Sequence, residues 1–226
     1  MFALSSTKHV NNMKPLFLAT FLFTFFIKIQ AQSAVANSKM NVFYIGVENP
    51  VTIALSNVPA SNEIEVKISE GTVTPIKEKP NAYIVKVNKM GIVTIDVFFQ
   101  GTKYGEHKFR VKKIPDPTAR LPIRMPCFVH TDMMVAFKEI KKMVAVLDNF
   151  NFDVKCEIVN FKFTRSPKIE APITLINISG DFSPEVNAEI AKSKKGDTHY
   201  FDDVLAKCPG DIAPRTLNSL VYTIRD

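Results

Sequence analysis

Gly196 to Ile224 reads GDTHYFDDVLAKCPGDIAPRTLNSLVYTI, and this stretch decides the fold. Gly196 closes a short helical segment. His199 to Ala206 reads as an extended run with Tyr200 and Phe201 at its aromatic centre. Cys208-Pro209-Gly210-Asp211 has turn chemistry, because proline fixes φ and lacks a donor while glycine tolerates positive φ. Leu220, Tyr222 and Ile224 then alternate with Val221 and Thr223, which predicts a closing strand. Two strands and a polar loop make a terminal β-hairpin with a long loop.

Working outward, the residues before this hairpin continue the β pattern. Met133, Phe137 and Ile140 lie at helical spacing behind the capping candidates Thr131 and Asp132. Val144 to Leu147 predicts a strand that Asp148-Asn149 turns. Val154 to Phe163 predicts a longer strand. Its apolar set changes face between Ile158 and Val159, which calls for a β-bulge or for burial on both sides. Ile173 to Ile178 is a further strand. Ser183 caps a helix with Pro184 at its first position and Glu185 at the positive end of the dipole. Val186 and Ile190 form its buried stripe, and Lys192, Lys194, Lys195 and Gly196 mark its end.

Asn41 to Val111 alternates with period two, and turn signals recur at sandwich spacing. Val51, Ile53 and Leu55 share one face, as do Ile64, Val66 and Ile68. The same holds for Tyr83, Val85 and Val87, and for Val93, Ile95, Val97 and Phe99. About seven strands in about 70 residues predict a small Ig-like module. The chain has no Trp, and its three cysteines all lie after this part. The core must therefore be aliphatic and Phe-based. His107 stands alone here and reads as an exposed strand residue. Between the two parts, Lys112 to Pro126 contains Pro115, Pro117, Pro122 and Pro126, a stiff connector. The expected architecture is mainly β: an Ig-like β-sandwich over 37–117, then a β-rich domain with two short helices over 118–226.

Leu16 to Ile27, LFLATFLFTFFI, is apolar apart from Thr20 and Thr24, with Lys14 before it and Lys28 after it. The small residues Ala31, Ser33, Ala34 and Ala36 follow. This is the order of a secretory leader, and the run is shorter than the ~20 residues a spanning helix needs. Residues 1–36 are assigned to a signal peptide cleaved after Ala31 or Ala36, so the protein is expected in the periplasm or beyond. An uncleaved inner-membrane anchor is the alternative. Without Lys8, Lys14 and Lys28 the chain keeps 26 basic against 22 acidic residues, in scattered pairs rather than a stripe. Solvated faces explain that, and no nucleic-acid-binding motif accompanies it.

The sequence contains no GxSxG, P-loop, GxGxxG or HExxH, and no cofactor is expected. Cys127 and His130 are three apart, but no second pair completes a zinc site. Asp202, Asp203 and Asp211 lack calcium-loop spacing. Three cysteines in an exported chain allow three pairings, each leaving one thiol over. Cys156 and Cys208, on strands or their ends, are the favoured pair, and three buried thiols are the alternative.

The terminal stretch, together with NVFYIGVENP at 41–50, FRVKKIPDP at 109–117 and LDNFNFD at 147–153, resembles the C-terminal two-domain region of the GldM (PorM) family. That family belongs to the gliding motility and type IX secretion machinery of Bacteroidetes. The resemblance implies a non-enzymatic envelope protein, a docking or accessory module with β-rich domains that dimerise. Its implied partners are ring lipoproteins or GldM-like proteins. Arg215 and Asn218 match positions the family retains and read as structural or interface residues. An exported Ig-like adhesion or ligand-binding protein is the competing reading.

Overall fold

The computed structural model describes residues 33–37, 41–58, 63–122 and 137–224. Eight strands build the first part: β1 (Ser33–Asn37), β2 (Val42–Tyr44), β3 (Asn49–Leu55), β4 (Ile64–Ile68), β5 (Thr72–Pro75), β6 (Ala82–Lys86), β7 (Gly91–Phe99) and β8 (Thr102–Lys112). They form two sheets, ordered β1-β3-β6-β5 and β2-β8-β7-β4. This is the division of strands found in constant-type Ig sandwiches, with short β2 added in parallel beside β8. The alternating residues named from the sequence meet between the sheets. Val85, Ile95, Val97 and Phe43 are fully buried, and Phe43 stacks on Phe109 with centroids 4.4 Å apart. Burying each such side chain contributes roughly 1.5–3 kcal/mol. Aliphatic and Phe packing thus fills the place that a Trp and a disulfide hold in antibody domains.

Two local readings change. Residues 33–36, placed with the leader above, form most of β1, which pairs with β3 from Ser33↔Leu55 to Asn37↔Val51. His107 on β8 is half-buried rather than exposed, because β1 covers it: Ser33 Oγ lies 3.0 Å from His107 Nε2.

The second part contains β9 (Thr118–Arg120), β10 (Val144–Val146), β11 (Glu157–Ser166), β12 (Ile173–Ile178), α1 (Pro184–Ala191), β13 (Thr198–Lys207), β14 (Arg215–Thr216) and β15 (Leu220–Thr223). β9 and β10 form a two-stranded ribbon. The main sheet runs β12-β11-β13, and β13 pairs with both β14 and β15 along its other edge. The bulge expected near Ile158 is present as a register shift between Ile158 and Asn160. β12 and α1 fall where the sequence placed them. Ser183 Oγ accepts a hydrogen bond from the Val186 amide at 3.3 Å, and Pro184 opens the helix. Phe137 and Lys138 are helical, whereas Thr131, Asp132 and Met133 lie outside the described residues.

α1 packs Val186 and Ile190 onto one face of the main sheet. Phe161, Phe163, Phe182 and Phe201 interlock there, with neighbouring centroids 5.2–5.8 Å apart. Among the described residues, no helix lies over the opposite face of the sheet.

Candidate functional site

Two features stand out: the seam where the two parts meet, and the uncovered face of the second sheet. The seam begins with Asn49. Its Oδ1 accepts from the Tyr44 amide at 2.8 Å, and its Nδ2 donates toward the carbonyls of Tyr44, Val47 and Val85. A fully buried amide satisfied on both ends fixes the 44–49 loop. That loop presents Tyr44, Gly46 and Val47 to the second part.

The second part answers with two segments. Phe150 and Phe152 lie 5.1 Å apart, and Tyr44 meets both edge-on at 4.9 and 5.3 Å. The Cys208–Asp211 turn approaches from the other side. Gly46 (φ 80°) and Gly210 (φ 80°) let the two backbones touch. A Cβ on Gly46 would stand 2.4 Å from the Gly210 nitrogen, inside van der Waals contact. Val47, Ile114, Cys156 and Cys208 form a small buried cluster along this line. Cys156 and Cys208 are joined by a disulfide there, with Cα atoms 4.2 Å apart and a sequence separation of 52.

Arg215 fastens the same seam. Its guanidinium donates to Asp211 through Nε at 2.8 Å and Nη2 at 2.5 Å. Nη1 reaches the Ile114 carbonyl at 2.7 Å, the Pro115 carbonyl at 3.2 Å and Asp116 Oδ1 at 2.9 Å. Burial would raise the Asp211 carboxyl, but Arg215 and the Cys208 amide outweigh it and hold the carboxyl below its usual range. Asn218 extends the joint. Its Oδ1 accepts from the Ala119 amide at 2.9 Å, and its Nδ2 donates to the Ala119 carbonyl at 3.3 Å. The side chain thus pairs with β9 as a neighbouring strand would. Arg215 therefore joins the connector to the second domain, and Asn218 ties β9 to the terminal segment within that domain.

The uncovered face carries Thr174, Ile176 and Ile178 of β12 beside Thr164, Lys162 and Asn160 of β11. Tyr200 and Val221 extend the row that Thr174 and Thr164 begin. Ile176 is 67% exposed, Ile178 83% and Val221 57%. Thr164 and Thr174 share a hydrogen bond of 2.9 Å, and Thr198 and Thr223 one of 3.1 Å. Lys162 pairs with Asp203 at 2.7 Å. The result is a flat face, mainly of isoleucine and threonine, with β12 at the sheet edge.

The carboxylates considered for chemistry do not converge. Asp203 serves Lys162 on the outer face, and Asp211 serves Arg215 at the seam. Among the described residues, no three His, Cys, Asp or Glu side chains are placed to hold a metal ion. Cys127 and His130 lie outside the described residues. One pair was missed in the sequence: Ser193 Oγ lies 2.8 Å from His199 Nε2. It resembles a nucleophile and its base, but Ser193 is 3% exposed and His199 is fully buried. Asp197 turns instead to Arg165 at 3.4 Å and the Lys194 amide at 3.0 Å. His199 sits against Phe137 and Phe163, and burial lowers its pKa to about 4. A neutral, enclosed imidazole is a core residue. The signal that could have found the pair, the six-residue spacing across the Gly196 turn, is too common to be specific.

Comparison with known proteins covers most of the chain. Residues 32–112 match the family model described as the GldM third domain, and residues 130–225 the one described as the GldM C-terminal domain. No curated protein matches. Among solved structures, the Yersinia pseudotuberculosis adhesin InvE aligns over 85% of this chain and 59% of its own, at 12% identity and a TM-score of 0.30. Yersinia pseudotuberculosis InvD aligns over 86% and 68%, at 12% identity and 0.28.

Proposed function

The chain belongs to the GldM family, whose third and C-terminal domains it carries, and from that premise we propose that it is an exported docking or accessory module of the cell envelope. GldM-family domains are structural parts of a gliding motility and type IX secretion machinery, and they act through protein–protein contacts. The finer reading is that this protein works in the periplasm, carries no catalytic function, and binds a ring lipoprotein or a GldM-like chain. A homodimer fits the same reading. The leader-like Leu16 to Ile27 segment supports export.

The observation that carries the docking reading is the uncovered Ile/Thr face of the second sheet. A cluster of exposed large apolar side chains beside a free strand edge favours a protein partner over a small ligand. Ile176 and Ile178 lie in adjacent outward positions on that edge strand.

The test is crosslinking in the native cell with a C-terminal tag, followed by identification of the captured envelope proteins. Capture of ring lipoproteins or a GldM-like chain, lost in an Ile176→Lys/Ile178→Lys variant that still folds, is the expected result. Capture of polysaccharide alone, or of the same proteins by the double variant, would overturn it.

A further inference from the structure

Cys156 and Cys208 do not sit in either main core. They sit in the small cluster with Val47 and Ile114, where the first part and the connector meet the second part. The bond therefore ties together the two segments that the second part contributes to the seam. On one side, Cys156 bridges to Ala145 and follows the Phe150–Val154 strip that packs on Tyr44. On the other, Cys208 is the first residue of the turn that abuts Gly46.

That turn is closed twice on Cys208. The Cys208 amide donates to Asp211 Oδ2 at 2.9 Å, and the Asp211 amide donates to the Cys208 carbonyl at 3.1 Å. Asp211 in turn holds Arg215, which grips the Ile114 and Pro115 carbonyls. A displacement of Cys208 is thus passed through one carboxylate to the connector. We propose that Cys156 and Cys208 are an oxidation site whose closure locks the two domains in one relative orientation. The lock forms when the chain meets a thiol–disulfide oxidoreductase outside the cytoplasm. The compartment rests on the export reading, whereas the coupling of bond to seam rests on geometry alone.

The chemistry is a two-step exchange. One cysteine thiolate attacks the oxidant's disulfide, forming a mixed disulfide and releasing one oxidant thiolate. The second cysteine attacks that mixed disulfide and forms the Cys156–Cys208 bond. The oxidant leaves as a dithiol, having taken two electrons and two protons. Cys156 is 7% exposed and Cys208 3% in the closed seam, so the exchange precedes the packing of Val47 and Ile114 around them.

Hydrogen exchange read by mass spectrometry on the full mature chain, oxidised and then reduced with a phosphine, tests the coupling. Peptides covering 41–50 and 208–217 should both exchange at least about tenfold faster after reduction, which corresponds to a loss of roughly 1.4 kcal/mol of local protection. Peptides around Phe161 and Phe163 should change less than about threefold. A change confined to 208–217 would overturn the proposal, since the bond would then serve only its own domain. Uniform loss around Phe161 would overturn it too. A Cys156→Ala/Cys208→Ala variant should repeat the reduced pattern, and if it does not fold, the reduced native chain carries the result. Separately, cells quenched in acid and alkylated in denaturant with maleimide-polyethylene glycol should yield protein taking up no more than one adduct, because only Cys127 is left over. Three adducts would sink the export premise and leave the exchange result to judge the coupling.

Discussion

Replacing Arg215 with alanine removes the cation that holds Asp211 and two connector carbonyls. The Asp211 side chain is 3% exposed and that of Arg215 is 16% exposed. Deleting one partner of a buried pair costs about 3–5 kcal/mol, because the other charge stays behind unpaired. The partial exposure of Arg215 moves the expected loss to the lower end, about 3 kcal/mol. Asp116 is 83% exposed, so Asp116→Ala should cost less than about 1 kcal/mol. The pH dependence separates the buried pair from generic disruption. A carboxyl with a depressed folded pKa, as Asp211 has, stabilises above its unfolded pKa and loses that contribution as pH falls through the folded value. In Arg215→Ala the same carboxyl keeps its burial and loses its cation, so its pKa rises. The variant therefore loses less on acidification than the parent, and the gap between them narrows from neutral pH to about pH 3. Urea unfolding followed by far-ultraviolet circular dichroism at both pH values measures this. A loss below about 1 kcal/mol at neutral pH, or an equal loss at both, would refute the reasoning.

Gly46→Val should destabilise by about 2–4 kcal/mol, since it adds backbone strain at positive φ to a clash with the Pro209–Gly210 backbone; thermal melts check it, and Gly101→Val, with nothing near its Cβ, should show the strain alone. His199 has a folded pKa of about 4, below its unfolded value near 6.5. The unfolded chain thus binds the proton first, and stability falls as pH drops from about 6.5 to about 4, by up to roughly 3 kcal/mol. The difference in unfolding free energy between the parent and His199→Gln, measured across that window, should carry this slope and the other acid-sensitive groups should cancel. Ser183→Ala removes the bond to the Val186 amide and should cost about 1 kcal/mol by denaturant titration.

The elements legible in the sequence are those whose chemistry is local. Ser183-Pro184 names a helix start within two residues, Ile173 to Ile178 reads as a strand from its composition, and the face change at Ile158 announces its own bulge. The Ig-like sandwich followed from period-two alternation, although short β5, with only Val73 half-buried on it, gave no such signal. β1 was read as leader because the small residues Ala34 and Ala36 suit a cleavage site as well as an edge strand. The seam was illegible for a different reason. Gly46 meets Gly210, and Arg215 meets Ile114, across sequence gaps that no window spans. The family resemblance flagged Arg215 and Asn218 as structural or interface residues, but only the structure supplies their partners. Phe150 and Phe152 looked like motif letters, and only Tyr44 gives them a role.

The parallel pairing of β2 with β8, from Val42↔Arg110 to Tyr44↔Lys112, sets a rule for the order in which the chain can acquire its shape. In a chain threaded through a membrane channel from its N-terminus, β2 is among the first strands to emerge and β8 the last of its sandwich. The short strand must stay unsatisfied until almost the whole first domain has crossed. Premature closure on the near side would need β8 as well, so a partly threaded chain has no complete sandwich to jam the channel. A cut after Ala36 would further strip β3 of its neighbour, whereas a cut after Ala31 keeps all of β1. On the export reading, the leader's end and the sandwich's edge strand fall on the same few residues, and a cut after Ala31 is the one that leaves the β1–β3 pairing whole.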